Sequence, residues 1–183
     1  DVPFIRHNRA ALFCEMDRLG DAVMDYSAII LSDDRDVEAL YRRWLIYLSK
    51  KALFAAEDDF EKMIEIAPEN LYGKMGKASV MKRRGEWKEA EEYYSDLIYK
   101  NKTVGELYFN RAECYLQLNR LARADEDIKK SLNLGYEDAS VYILRGQLRS
   151  AQYDKQSAKQ DFIKAKELGV NENALVDYLR MCK

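Results

Sequence analysis

The amino-acid sequence predicts an all-α fold: an α-solenoid of five helix-turn-helix repeats followed by a C-terminal capping helix. Three observations predict it, namely a 34-residue period of small residues, a column of large apolar side chains at the same period, and a scarcity of turn-forming residues. The 183 residues include only 8 Gly and 2 Pro. Because an all-β fold needs frequent turns, this composition favours long helices joined by short connections.

Alanine recurs every 34 residues in the most regular column, and a large apolar side chain stands four residues after each alanine. A third column, twelve residues before the alanines, is small in four of its five members. The columns are Ala22, Ala56, Ala90, Ala124 and Ala158; Tyr26, Phe60, Tyr94, Ile128 and Phe162; and Ala10, Trp44, Ala78, Ala112 and Gly146. We interpret the small residues as the places where two helices cross closely. Trp44 then predicts either a wider crossing or a side chain that turns out of its helix pair.

Each repeat is predicted to contain two helices, because apolar residues recur at spacings of three and four on both sides of a polar break. Pro68 ends one repeat, since proline cannot continue a helix, and Gly135 and Gly169 are predicted to be left-handed helix caps. The predicted breaks are Gly20-Asp21, Lys50-Lys51, Gly85-Glu86, Asn119-Arg120 and Tyr153-Asp154. The predicted repeats span residues 3–36, 37–70, 71–104, 105–138 and 139–172, and the capping helix spans 173–183.

The capping helix is predicted from one apolar stripe, which consists of Leu175, Tyr178, Leu179 and Cys182. Either Asn171 or Asn173 is expected to cap its N-terminus. Such a helix shields the apolar face that the last repeat of a solenoid would otherwise expose. No comparable helix precedes Phe4, and residues outside this chain are one explanation of what covers the first repeat.

Charged residues also follow the 34-residue period. We predict that each basic residue on a first helix pairs with an aspartate on a second helix, either within its repeat or in the neighbouring one. Scattered solvent charges are the alternative. The third repeat has Tyr93 in the acidic column, so Lys77 is predicted to lack this partner. The columns are Arg9, Arg43, Lys77, Arg111 and Arg145, and Asp25, Asp59, Asp127 and Asp161.

These columns resemble the tetratricopeptide repeat, a 34-residue helix-turn-helix unit with small residues at the close helix crossing and often a closing proline. Pro68 and the segment Gly85-Glu86-Trp87-Lys88-Glu89-Ala90 match that pattern most closely, and the resemblance covers residues 3–172. It implies a right-handed superhelix whose first helices line a concave groove, the usual working surface of such arrays. We call the first-helix positions that line this groove the inner face.

Charge and motifs exclude several classes of function. Thirty Lys and Arg residues against 32 Asp and Glu residues give a net charge of -2, which offers no electrostatic case for binding nucleic acid. No apolar run approaches the roughly 20 residues that a membrane span needs. His7 is the only histidine, and no nucleophile with a neighbouring base is recognisable. The sequence therefore predicts no enzyme, no cofactor and no metal site.

The basic segment Lys82, Arg83 and Arg84 is predicted to end a helix, where cations suit the helix dipole.

The three cysteines, Cys14, Cys114 and Cys182, lack C-x-x-C spacing and are interpreted as reduced thiols. The cytoplasm is the favoured compartment. An exported mature chain is the alternative, because the first residue is Asp1 and not an initiator methionine.

Helical geometry assigns a peptide-binding groove to the inner face. The residue columns that line this groove include His7, Asn8, Ala11, Glu38 and Leu45. Aromatic anchors such as Tyr41 and Phe109 could each contribute about 2 kcal/mol to binding a peptide. The alternative is that these aromatic rings fill the groove themselves or pack between repeats. The predicted peptide-binding residues are Tyr41, Arg42, Tyr72, Met75, Phe109, Asn110 and Ile143.

Tetratricopeptide proteins that hold the acidic carboxyl end of heat-shock chaperones use Lys, Asn and Arg from three consecutive repeats. Among the positions of this chain that match the clamp columns, only Asn110 carries the residue type found in the clamp. The clamp is therefore predicted to be missing. The other positions are His7, Ala11, Tyr41, Arg42, Leu45 and Gly76.

Two functions remain as predictions. The favoured one is a non-catalytic adaptor that binds a protein or peptide partner, with no nucleic acid and no membrane span. The alternative is a structural or regulatory segment of a longer protein, whose groove is filled by the same chain or, through self-association, by a second copy.

Overall fold

A computed structural model describes residues 2–50 and 52–182, without the side chains of residues 53, 54 and 57. This part of the chain contains eleven helices and no strand, which confirms the predicted all-α class. Lys51, in the second predicted break, and Lys183, at the end of the predicted cap, lie outside the described residues. The helices are α1 (Pro3–Glu15), α2 (Leu19–Ser32), α3 (Val37–Ser49), α4 (Leu53–Ile66), α5 (Leu71–Arg83), α6 (Trp87–Lys100), α7 (Gly105–Gln117), α8 (Leu121–Asn133), α9 (Ala139–Ala151), α10 (Lys155–Glu167) and α11 (Glu172–Met181).

The helices form two compact modules, and the division lies within α5. The N-terminal module is Asp1–Lys77, in which α1 packs on α2, α2 on α3 and α3 on α4. The C-terminal module is Ala78–Lys183, in which α6 to α11 pack consecutively in the same way. Within each module these helices therefore pack on their neighbours in sequence, as expected for stacked helix pairs.

The small residues of the two columns are buried inside the helix pairs, as the sequence predicts. Gly146 marks a particularly close approach, because a Cβ atom at this position would lie 2.5 Å from the Phe162 ring. Trp44 does not turn out of its pair. Its buried ring contacts Phe60 of α4, with ring centroids 6.2 Å apart. The buried small residues are Ala10, Ala22, Ala56, Ala78, Ala90, Ala112, Ala124 and Ala158.

The turn of the first helix pair lies earlier than predicted. Gly20 belongs to α2, and the left-handed residue of the turn is Asp17, with φ of 56°. Aspartate tolerates this conformation because its short polar side chain can form local hydrogen bonds. Gly20 was therefore the wrong signal for the break.

The later turns follow the period of Asp17. Left-handed backbone recurs at Gly85, Asn119 and Tyr153, with φ of 77°, 57° and 64°. These three positions are the predicted breaks. Gly135 and Gly169 follow α8 and α10 with φ of 81° and 98°, which confirms their assignment as left-handed helix caps.

The arginines of the basic column pair with aspartates inside their own helix pairs. In each pair the aspartate stands 16 residues after the arginine, and two guanidinium nitrogens donate to its carboxylate. This confirms the predicted ladder and selects pairing within a repeat. Because desolvation offsets much of the Coulomb attraction, such pairs fix helix register more than they add stability. The pairs are Arg9–Asp25, Arg43–Asp59, Arg111–Asp127 and Arg145–Asp161.

The helix α11 covers the end of the last helix pair. Of the two candidate caps, Asn171 is correct, since its Oδ1 accepts a hydrogen bond of 2.9 Å from the backbone N–H of Asn173. Leu175 is fully buried, and the Tyr178 ring stacks on Phe162 with centroids 5.1 Å apart. Leu175 thus completes a small core with Ala158, Phe162 and Ala165 of α10.

Candidate functional site

A cleft of about 480 Å³ opens in the N-terminal module among α1, α2 and α3. Its volume lies within the range of about 300 to 1,000 Å³ that is usual for ligand sites. The lining joins inner-face residues of α1 and α3 to two residues of α2. The lining residues are His7, Asn8, Ala11, Cys14, Leu19, Tyr26, Glu38, Arg42, Leu45, Ile46 and Ser49.

The floor of the cleft is uncharged. Burial raises the pKa of the Cys14 thiol and raises the pKa of Tyr26 to about 12, so both groups are neutral at physiological pH. The aliphatic side chains of Leu19, Leu45 and Ile46 complete this surface. An apolar side chain of a ligand could therefore be buried there without opposing a charge.

Polar groups at the rim are held by contacts with α3. The Nε2 atom of His7 lies 2.8 Å from one carboxylate oxygen of Asp36. The other oxygen of Asp36 caps α3 by accepting from the backbone N–H of Ala39. Arg42 lies 3.8 Å from Glu38, one helical turn away. The rim therefore presents oriented donors and acceptors beside an apolar floor, a combination typical of binding sites.

An aromatic cluster supports the neighbouring part of the inner face. The Tyr41 ring stacks on Trp44 and contacts Tyr72, with centroid distances of 5.6 and 5.2 Å. Tyr41 is 2% exposed and Met75 is 1% exposed, so neither side chain offers surface to a ligand. The prediction of direct contact is therefore corrected for these two residues. Tyr41 fills part of the inner face itself because Trp44 and Tyr72 pack against its ring.

Arg42 and Tyr72 remain accessible beside this cluster. Both side chains are partly exposed, and the Arg42 guanidinium lies 5.9 Å from the ring centroids of Tyr41 and Tyr72. The aromatic faces thus orient the guanidinium through cation–π attraction. The structure brings together three predicted residues, Tyr41, Arg42 and Tyr72.

In the C-terminal module, the predicted contact residues have internal partners. Phe109 contacts Tyr136 at 5.6 Å and packs on the core of α7, α8 and α9. The Asn110 Oδ1 atom accepts a 2.6 Å hydrogen bond from Lys82, and its Nδ2 atom donates to the Glu106 carbonyl at 2.8 Å. Asn110 is buried, so its amide is engaged within the protein.

Lys82 is an inner-face residue whose role was not predicted. Its Nζ atom lies 2.6 Å from both Asn110 and Glu113, where the sequence suggested only a cation at a helix end. One signal was available, since the other members of its 34-residue column are uncharged. Those members are Cys14, Leu48, Leu116 and Ser150.

The inner face of α9 is covered by α11. Ile143 packs on the small core formed by Phe162, Ala165 and Leu175. Nearby, the Gln147 amide donates to the Tyr178 hydroxyl at 2.9 Å. The predicted contact residue Ile143 therefore lies against the cap of this same chain.

No group of three or more His, Cys, Asp or Glu side chains among the described residues could hold a metal ion. Cys114 is buried, and its burial raises the thiol pKa to about 12, which keeps it protonated.

Among the residues that the structure describes, every helix is too short or too polar to cross a membrane.

Comparison with known proteins places this geometry among repeat proteins. A family model described as tetratricopeptide repeat matches residues 105–134. The crystal structure of a tetratricopeptide repeat protein from Parabacteroides merdae is 32% identical in sequence, covers 100% of this chain and 71% of its own, and superposes with a TM-score of 0.72.

Two further similarities concern one type of protein. RNA polymerase II-associated protein 3 from Xenopus tropicalis is 33% identical over 98 residues, which is 54% of this chain but only 15% of that protein. The second TPR domain of human RPAP3 was solved in complex with the HSP70 peptide SGPTIEEVD. It is 23% identical, covers 60% of this chain and 92% of its own, and has a TM-score of 0.54.

Proposed function

Because the chain belongs to the tetratricopeptide repeat family, whose fold is in general a non-catalytic interaction module, we propose that it is a scaffold that binds a peptide or protein segment on the inner face of its first helices. The observation that carries the proposal is the cleft among α1, α2 and α3. It pairs an apolar floor with an oriented polar rim inside one compact module.

The cleft suits an extended or helical segment with one apolar anchor. The anchor side chain would contact Ala11, Leu45 and the Tyr26 ring, which line the cleft. Arg42 and Asn8 at the rim would bond polar groups of the ligand beside that anchor. Tyr72, next to Arg42, would extend the contact along α5.

We further propose that the ligand is not held by a clamp of Lys, Asn and Arg side chains of the kind that binds acidic carboxyl ends. The HSP70 peptide SGPTIEEVD in the RPAP3 complex carries three acidic residues among its last four, and such a peptide needs several cationic or hydrogen-bond donors. The amide of Asn110, the one matching residue, is occupied by Lys82 and the Glu106 carbonyl. Among the other matching positions, Ala11, Leu45 and Gly76 supply no side-chain donor. His7 is engaged with Asp36 and Tyr41 is buried, which leaves Arg42 where such a clamp needs several cations.

The alternative, a groove filled by another segment of the chain itself, is supported at α9. There Ile143 and Gln147 contact α11. The inner face of α1 and α3 instead borders the open cleft. We therefore place the binding site for a separate partner in the N-terminal module.

Selection of peptides from a displayed random library, followed by affinity measurement, tests the proposal. Ala11→Trp should fill the cleft and weaken a selected peptide by at least about tenfold. Arg42→Ala should weaken it by about fivefold. Ala151→Trp is the matched control, since Ala151 is an exposed alanine of the C-terminal module, and it should bind as the wild type does.

Cys14 gives a second readout because it lines the cleft. In a Cys182→Ser background, bound peptide should slow the reaction of Cys14 with a thiol reagent, whereas Cys114 is buried and unreactive. Undiminished binding by Ala11→Trp, together with an unchanged Cys14 reaction rate, would place the peptide elsewhere and overturn the proposal.

A further inference from the structure

Lys82 occupies a site formed by other side chains of the C-terminal module. Its Nζ atom lies 2.6 Å from the Oδ1 atom of Asn110 and 2.6 Å from the Oε2 atom of Glu113. The same atom lies 5.7 Å from the centroid of the Tyr94 ring. The Lys82 side chain is 13% exposed, so little of it faces solvent. We call Tyr94, Asn110 and Glu113 the ammonium site.

The three groups of the ammonium site share one chemical preference. A carboxylate and an amide carbonyl accept hydrogen bonds from a cation, and an aromatic ring attracts a cation that lies over its face. The Nδ2 atom of Asn110 donates to the Glu106 carbonyl at 2.8 Å, which leaves Oδ1 as the group that meets the ammonium. The site is therefore suited to a positively charged group.

The internal repetition relates this site to the open cleft among α1, α2 and α3. The residues that stand two 34-residue periods before Lys82 and before each member of the ammonium site all line that cleft. The earlier equivalent of Lys82 is a cysteine, whose short side chain leaves the space open. The ammonium site is thus an equivalent position that a long side chain closes. The earlier equivalents are Cys14, Tyr26, Arg42 and Leu45.

The two equivalent positions favour different ligands. In the cleft, Arg42 and Leu45 stand where Asn110 and Glu113 stand in the ammonium site, so a cation would meet a guanidinium and find no carboxylate. In the C-terminal module the same cation would meet two acceptors and the face of Tyr94. Only the second position is therefore suited to a positively charged ligand.

We propose that the ammonium site binds a positively charged side chain of a partner protein, and that Lys82 occupies the site until this side chain displaces it. Displacement exchanges one cation for another, so the Glu113 carboxylate keeps a partner and no buried charge is left uncompensated. The flexible stem of Lys82 lets its ammonium move into solvent. The Glu113 side chain is 35% exposed, which gives the incoming cation a path to the carboxylate.

Arginine is the favoured side chain of the partner. Its planar guanidinium can donate two parallel hydrogen bonds to the Glu113 carboxylate, whereas an ammonium acts as a point charge. A partner's arginine therefore gains a bond geometry that Lys82 lacks. The ammonium site shares no residue with the cleft, so this proposal and the proposed function can fail separately.

Truncation of Lys82 tests the class of ligand. Lys82→Ala removes a group of atoms that n-propylammonium can replace. At about ten times its dissociation constant, this ion should raise the melting temperature of the variant by about 2 to 4 °C. It should also shift the side-chain amide signal of Asn110 in NMR spectra. The wild type should bind the ion at least about tenfold more weakly, because Lys82 competes for the site.

Two controls separate charge recognition from other effects. At equal ionic strength, 1-propanol has the same length but no charge and should have no effect on Lys82→Ala. Lys88→Ala removes the same charge from an exposed position of the module and should respond as the wild type does. An unchanged Asn110 signal in Lys82→Ala, or an equal response to 1-propanol, would overturn the proposal.

Peptides selected from a displayed random library test the displacement. The target is the full chain with Ala11→Trp, which fills the cleft, so the result does not depend on that site. Adding Lys82→Ala should strengthen the binding of a selected peptide by about tenfold, since the competitor is gone. Glu113→Gln should weaken the binding by about tenfold, as should glutamine in place of the peptide's arginine or lysine.

The sign of the Lys82→Ala effect decides between a cationic and an anionic ligand. Weaker binding by Lys82→Ala would show that Lys82 itself contacts the peptide, which would then present an acidic group. Selected peptides that bind independently of Glu113 would show that no partner cation enters the site. Either result would overturn the proposal.

Discussion

Arg111 and Asp127 face each other across the α7–α8 pair in a two-point contact. The Nε atom of Arg111 lies 2.7 Å from one oxygen of Asp127, and its Nη2 atom lies 2.8 Å from the other. Both side chains are largely buried, and the guanidinium also reaches Ser95. One arginine therefore connects its own helix pair to the helix before it.

Asp127→Ala should leave the half-buried Arg111 guanidinium without its carboxylate partner. The free energy of unfolding should fall by about 2 to 4 kcal/mol, because removing one partner of a buried pair leaves the other uncompensated. Urea denaturation followed by circular dichroism measures this loss. Asp125→Ala, which removes the exposed partner of Lys129 on the same helix, should cost less than about 1 kcal/mol. Equal effects of the two substitutions would mean that the ladder adds nothing beyond surface charge.

The sequence sufficed for the helix pairs and the ion pairs, because a 34-residue period reveals which positions are equivalent without any coordinates. The first turn was misplaced because Gly20 is a stronger generic turn signal than Asp17, although Asp17 carries the left-handed backbone. The 34-residue period alone predicts the correct position of this turn, since Asp17 is equivalent to Gly85 and Asn119.

The candidate site was less predictable for a different reason. Helical geometry states which way a side chain such as Tyr41 leaves its helix but not what covers it. The Tyr72 ring and Trp44 bury Tyr41, and Lys82 reaches Asn110 from a position 28 residues away. Long side chains from neighbouring helices decide which inner-face residues stay open, and their rotamers are not encoded in a repeat pattern.

Asp25 should make stability depend on acid pH. The hydrogen bonds from Arg9 hold the pKa of its carboxyl below the ordinary value. Because the folded-state pKa is the lower one, Asp25 contributes stability above about pH 4, and this contribution is lost as the pH falls through the folded-state pKa. The free energy of unfolding of Asp25→Asn should therefore change less between about pH 4 and pH 2 than that of the wild type.

Urea denaturation at a series of pH values measures this dependence, with Asp125→Asn as the control on an exposed helix face. That control should follow the wild-type profile in the acid range. If Asp25→Asn also does so, the Arg9–Asp25 contact does not favour the charged carboxyl.

Tyr153→Gly should stabilise the protein. Tyr153 has a left-handed φ of 64°, and its side chain is almost wholly exposed, so little packing is lost with the ring. Relief of the backbone strain outweighs the added flexibility of the unfolded chain by about 0.5 to 1 kcal/mol. Thermal unfolding should show a higher melting temperature. Tyr99→Gly, at an exposed position inside α6, should lower it, and a decrease in both variants would show that the φ at Tyr153 carries no strain.

Gly146→Ala should destabilise the α9–α10 pair although alanine is the better helix former. The new Cβ atom would lie 2.5 to 2.9 Å from three atoms of the Phe162 ring, which is closer than packed atoms allow. Overpacking of this kind costs about 1 to 3 kcal/mol, more than the gain in helix propensity of about 1 kcal/mol.

The equivalent pair in α7 and α8 is Ala112 with Ile128, which indicates how the clash is relieved. Phe162→Leu alone should be destabilising, since it leaves a void beside Gly146 and beneath Tyr178. Combined with Gly146→Ala, it should cost less than the sum of the two single changes, as urea denaturation of all four proteins would measure. Strict additivity of the two single changes would mean that residues 146 and 162 do not set the helix separation together. The Phe162 ring would then not be the reason why residue 146 is glycine.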